Sequence, residues 1–89
     1  MNVSKKNHLL LNNTMSLVGK FFKLPENRQR AHDEYFKVER ENFGILVCTM
    51  LVPNRPHHKR TNLTCDPSEF DNAEEITAEE YLEAAKKAI

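Results

Sequence analysis

An uncharged run of nine residues, Gly44 to Val52, constrains this chain more than any other feature of its sequence. The run is rich in β-branched residues, and a glycine and Pro53 bound it closely. A short apolar segment with such boundaries is typical of a strand buried on both faces rather than of a helix. The sequence therefore predicts an interior strand of a sheet, and the rest of the chain must cover its two faces.

The chain has 89 residues, which is the size of a single domain with one small core. Residues 1–7 are predicted to form a loose end of that domain. No segment has the length and composition of a membrane span, and the leucines at 9–11 lack the cleavage site of a signal peptide. The two cysteines are too few for a disulfide framework, so we expect reduced thiols and a soluble, cytoplasmic protein.

Alternation of apolar and polar residues on either side of the run predicts its neighbours in the sheet. Phe43-Gly44 and the residues before it favour a tight reversal, because asparagine and glycine tolerate positive φ angles. The charged stretch Pro25–Glu34 has alanine as its one apolar residue and is predicted to be a solvated loop or a helical turn that links two strands. The predicted strands are Met15–Leu24, Tyr35–Arg40, Ile45–Val52 and Arg60–Cys65.

The end of the sequence carries the clearest local signal. Thr77 and Glu80 have the spacing of a capping box, and Ile76 and Tyr81 have that of a hydrophobic staple. The segment therefore predicts a helix over residues 77–89, preceded by an acidic linker, residues 66–76, that Phe70 attaches to the core. The residues expected on the core-facing side of this helix are Tyr81, Leu82, Ala85, Ala88 and Ile89.

These elements together predict an α+β fold. About four antiparallel strands form either a small sheet or a partly open barrel, and one C-terminal helix covers it. The layout resembles that of the small SH3-like barrels. The resemblance is one of element pattern, and it implies no functional residues.

A formal net charge of zero conceals two oppositely charged parts of the chain. Residues 1–60 contain eleven lysines and arginines against five acidic residues, which gives a charge of +6. Residues 61–89 contain two lysines against eight acidic residues, which gives −6. Such a division favours a protein that presents charged surfaces selectively to its partners.

Two candidate binding surfaces follow from these charges. A basic loop, defined here as residues 55–60, is held extended by prolines and suits phosphates or an acidic partner. An acidic face suits a basic groove on another protein. A solvated loop and a solvated linker are the plain alternatives to both surfaces. The residues expected to bind are Arg55, His57, His58, Lys59 and Arg60 in the basic loop, and Glu69, Asp71, Glu74 and Glu75 on the acidic face.

No residues have the spacing of a catalytic or metal site. Cys48, His57, His58 and Cys65 lack the closely spaced ligand pairs of zinc sites, and Asp66 opposes thiolate formation at its neighbour. We therefore expect no cofactor, no metal and no enzymatic activity. The sequence favours a protein-interaction module that serves as an adaptor, accessory factor or inhibitor of a larger protein. The alternative is a nucleic-acid-binding barrel that uses the basic loop, and a homodimer is compatible with either.

Overall fold

The structure, a computed structural model, describes residues 14–55 and 59–88. Its five strands form one antiparallel sheet in the order β4-β3-β2-β1-β5. The predicted α+β class, with an open antiparallel sheet and one C-terminal helix, is confirmed. The elements in chain order are a 3₁₀ helix (Thr14–Leu17), β1 (Phe21–Leu24), β2 (Glu34–Asn42), β3 (Ile45–Leu51), β4 (Lys59–Cys65), a second 3₁₀ helix (Pro67–Phe70), β5 (Glu74–Ile76) and α1 (Ala78–Lys86).

Strand β3 is an interior strand, as the uncharged run predicts. It pairs with β2 on one side and with β4 on the other. Residues 46–49 are all buried, which requires cover on both faces of the sheet. Cys48 belongs to the core on one face, and Leu51 belongs to the core on the other. The predicted hairpin with β2 is also confirmed.

The first core is organised around Phe70, which lies in the segment predicted to be a linker. The Phe70 ring stacks on Phe22 with a centroid distance of 5.1 Å and meets Phe36 edge-on at 5.2 Å. The segment that connects the two edges of the sheet therefore covers one face of it. The buried members of this core are Phe22, Leu24, Phe36, Val38, Leu46, Cys48, Cys65 and Phe70.

Helix α1 covers the opposite face of the sheet. The Thr77 hydroxyl accepts a hydrogen bond from the Glu80 amide, and the Glu80 carboxylate accepts one from the Thr77 amide, both at 3.1 Å. The predicted capping box is therefore confirmed. Tyr81 and Ile76 both belong to the second core, and the Tyr81 ring lies 5.0 Å from that of Phe21.

The prediction that Leu82 faces the core is wrong. Its side chain is 57% exposed, whereas Tyr81, Ala84 and Ala88 are buried. Tyr81 packs in the second core with Ile76, and its ring contacts that of Phe21 in β1, so its side chain points at the sheet. The buried stripe of the helix therefore contains residues 81, 84 and 88. Leu82 lies about 100° further around the helix. Ile89 lies outside the described residues.

Two further differences from the predicted fold concern the start of the first strand and the number of strands. The first strand begins at Phe21 rather than Met15, and Gly19, with a φ of 87°, redirects the chain before it. A fifth strand, β5, lies within the predicted acidic linker and pairs with β1. Three residues are too few to show an alternating pattern, so the sequence gives no sign of this strand. The predicted loose end, residues 1–7, lies outside the described residues.

Candidate functional site

Two loops meet at one end of the sheet. The Arg55 Nη1 atom lies 3.0 Å from the His32 Nε2 atom. An arginine can only donate a hydrogen bond, so the His32 Nε2 atom is the acceptor in this contact. Arg55 thereby connects the basic loop to the charged loop before β2.

A groove of about 410 Å³ opens beside this contact. Its polar lining includes the guanidinium groups of Arg30 and Arg60. Its apolar lining comes from Ala31, from Met50 of β3 and from Val52, which follows β3. We call it the basic groove. It is lined by Gln29, Arg30, Ala31, His32, Glu34, Met50, Val52 and Arg60.

Arg30 is held at the groove by its own loop. Its Nη1 atom donates to the Pro25 carbonyl at 3.0 Å, and its Nε atom lies 3.3 Å from the Glu34 carboxylate. The Asn27 side-chain oxygen accepts from the backbone amides of Gln29 and Arg30, each at 2.8 Å. The loop has neither helix nor strand, which agrees with the first of its two predicted forms, and the bonds to Pro25 and Glu34 fix the position of the Arg30 guanidinium.

The register of β4 assigns its two cations to opposite faces of the sheet. Arg60 is opposite Met50, which packs against the first core, and Lys59 is opposite Leu51 of the second core. Successive side chains of a strand alternate between faces. Consequently Arg60 lines the basic groove, and its neighbour of equal charge does not.

The structure brings together only part of the predicted basic site. Arg55 and Arg60 contribute to this end of the sheet, while Lys59 is exposed on the other face. His57 and His58 lie outside the described residues. Sequence reasoning missed Gln29, Arg30 and His32, and the only available signal was the density of charge in their loop.

A second cavity, of about 390 Å³, lies on the other side of His32 and has the opposite charge. Three of its four carboxylates have partners within the protein, and one of these pairs is Glu83 with Lys86 at 3.3 Å. Asp33 accepts from the Glu26 amide at 2.8 Å, and Glu80 belongs to the capping box. Most of the negative charge of this cavity is therefore engaged in contacts within the fold. The four carboxylates that line it are those of Glu26, Asp33, Glu80 and Glu83.

The predicted acidic residues divide between two places. Glu74 and Glu75 are exposed on β5, at the edge of the sheet opposite to β4. Glu69 caps the second 3₁₀ helix by accepting from the Asp66 amide at 3.0 Å, and Asp71 ends that helix. The two edges of the sheet are therefore oppositely charged, with Lys59 and Arg60 on one and the glutamates of β5 on the other.

The two cysteines are free and buried on neighbouring strands. Hydrogen bonding to the Cys65 sulfur, together with burial, raises the pKa of the Cys48 thiol. A buried thiol in this state packs as a small apolar side chain. Within residues 14–55 and 59–88, no group of three or more histidine, cysteine or acidic side chains is placed to hold a metal ion. No helix in the same ranges is long and apolar enough to cross a membrane.

The far end of the sheet carries an exposed aromatic residue. Phe43 is 98% exposed at the tip of the β2–β3 hairpin. Its φ is 52° and that of Gly44 is 82°, which is the pattern of a type I′ turn. Strand β3 separates this tip from the basic groove by about 20 Å. The aromatic ring and the groove therefore belong to different surfaces.

Comparisons of the chain with models of protein families, with curated proteins and with solved structures give no match. The shape and chemistry of the basic groove are therefore the basis for a proposed function.

Proposed function

We propose that this protein is a non-catalytic protein-interaction module that binds an acidic segment of a larger protein in the basic groove. The observation that carries the proposal is the combination of two guanidinium groups with an apolar lining in one concave site. A guanidinium forms strong, directional hydrogen bonds with a carboxylate. The apolar lining favours a ligand that also contributes hydrocarbon, as a protein segment does.

The cations of the site have different roles in this proposal. Arg60 is exposed on the edge strand and forms the direct contact with a carboxylate of the partner. Arg30, whose side chain is 26% exposed and paired with Glu34, contributes a positioned charge. Arg55 holds the His32 ring, and Lys59 adds long-range attraction that speeds the encounter.

The charge of the opposite edge supports a protein that orients its partner. The sheet order places β4 and β5 at the two edges, so Arg60 and Lys59 on β4 are separated by three strands from the glutamates of β5. A partner that approaches in the wrong orientation meets like charge. An adaptor, accessory factor or inhibitor of a larger protein needs this selectivity.

The exposure of Phe43 favours one alternative, which is binding of single-stranded nucleic acid. An exposed ring provides a surface on which bases stack. This ring lies about 20 Å from the basic groove, at the other end of β3. The Tyr35 ring packs against the second core, with the Lys23 ammonium 5.7 Å from its centroid, so it is less available to a base than the Phe43 ring. The groove's apolar lining agrees better with a protein partner.

A matched pair of variants tests the proposal. The probe is a blocked six-residue peptide of alternating glutamate and leucine, titrated by calorimetry in low-salt buffer. Arg60→Gln should weaken binding by about tenfold, because it removes a charge-assisted hydrogen bond. Lys59→Gln removes the same charge from the next residue on the opposite face, and it should weaken binding by about twofold or less.

Two results would contradict the proposal. Equal losses in the two variants would show that overall charge, and not the groove, attracts the peptide. Tighter binding of a dT12 oligonucleotide than of the peptide, lost on Phe43→Ala, would support the nucleic-acid alternative instead. Thermal unfolding of both variants provides the control that they remain folded.

A further inference from the structure

Helix α1 directs its largest aliphatic side chain away from the core. Leu82 is the only leucine, isoleucine or valine in the helix, and it is 57% exposed. The core-facing positions are filled by Tyr81 and by alanines. A single exposed leucine is common on protein surfaces, so its surroundings decide whether it has a role.

Those surroundings form a shallow apolar concavity on the outer surface of the helix. The residues that line it with Leu82 are Glu79, Glu83, Ala85 and Lys86. Residues 79, 82, 83 and 86 follow the spacing i, i+3, i+4, i+7, so they form one stripe along the helix. We call these four residues the outer stripe. It begins with Glu79, has Leu82 and a second carboxylate, Glu83, at its middle, and ends with Lys86.

We propose that a second copy of this chain covers the outer stripe, in a symmetric dimer whose two α1 helices pack antiparallel. With the two-fold axis between residues 82 and 83, Glu79 of each copy faces Lys86 of the other, and the two Leu82 side chains meet. Glu83 pairs with Lys86 of its own helix at 3.3 Å, which places the ammonium between two carboxylates. The two ends of the stripe are therefore complementary between the copies, whereas the two Glu83 side chains lie near the axis and keep their lysine partners within each helix.

The size of the helix sets the strength of this dimer. Nine residues span about 14 Å, so the contact is smaller than the roughly 800 Å² per partner of a stable complex. We expect a dissociation constant of about 0.1–1 mM. The outer stripe shares no residue with the basic groove, so a test of the dimer does not depend on the proposed function.

Charge reversal tests the dimer directly, with sedimentation equilibrium from 20 µM to about 1 mM of the full chain. Glu79→Lys and Lys86→Glu should each weaken association by about tenfold, because each replaces two attractive pairs by repulsive ones. The variant with both substitutions should restore the affinity to within about twofold of the original protein. Leu82→Ser should weaken association by about thirtyfold. Lys87→Glu, the same charge change outside the stripe, is the matched control and should have little effect.

Amide chemical shifts recorded over the same concentrations locate the contact. Those of residues 79, 82, 83 and 86 should change with concentration. A monomer at 1 mM, a double variant no better than the single variants, or shifts confined to β4 or the hairpin tip would overturn the proposal. Because charge reversal also opposes the helix dipole, circular dichroism melting curves show which variants stay folded.

Discussion

The hairpin tip allows a substitution that should stabilise the protein. Phe43 has a φ of 52°, a region that is unfavourable by about 1 kcal/mol or more for a bulky residue and that asparagine tolerates well. The ring is 98% exposed, so its removal forfeits almost no buried apolar surface. Phe43→Asn should therefore raise the free energy of unfolding by about 1 kcal/mol.

For a domain of this size, that gain corresponds to a rise of about 4–8 °C in Tm. Circular dichroism melting and urea titration measure it. Phe43→Ala is the matched control, since alanine removes the ring but keeps the unfavourable φ, and it should change stability by less than about 0.5 kcal/mol. An asparagine variant no more stable than the original protein would refute the reasoning, because the ring would then have a stabilising contact in the folded state.

Four other predictions concern the helix, the first core, the second core and the loop contact. Thr77→Ala should cost about 1 kcal/mol by unpairing a first-turn amide, while Thr77→Ser should restore most of the loss in a urea titration. Phe70→Ala should cost about 3–5 kcal/mol, which calorimetry would record as a large drop in Tm, because its ring contacts two phenylalanines of the first core. Burial raises the pKa of Tyr81 to about 12, above the ordinary value near 10. The folded state therefore holds the phenolic proton more tightly, so stability should be intact below pH 10 and fall as the pH rises to 12. Tyr81→Phe should abolish that part of the pH dependence in melting curves. Arg55→Gln removes the donor that faces the His32 Nε2 atom, so nitrogen-15 NMR of the histidine side chains should show a change in the His32 Nε2 signal and little change at the other histidines.

The elements that the sequence predicts well are those whose signals lie within a few neighbouring residues. The buried strand is indicated by nine uncharged residues that lie between turn-forming residues. The capping box is indicated by a threonine and a glutamate three residues apart. Phe70 is likewise recognisable as a core residue because it is the only aromatic side chain in the acidic segment, residues 66–76. Each of these signals reflects local backbone preferences that tertiary contacts reinforce.

The candidate site depends on positions far apart in the chain. Arg30 and Arg60 line one groove only because β2 and β4 both pair with β3, which places the start of β4 beside the loop that precedes β2. Likewise, the exposure of Leu82 depends on how the Tyr81 ring docks against β1. A helical pattern defines the faces of a helix but not the rotation at which it packs.

The sequence alone determined the α+β class, the interior strand, the hairpin and the start of the final helix, because short-range periodicity and backbone preferences specify them. Only the tertiary structure decided which cations share a groove, which strand completes the sheet edge and which side of α1 faces outward. Those features arise from strand register and side-chain packing between distant segments, and a linear pattern of residues does not record them.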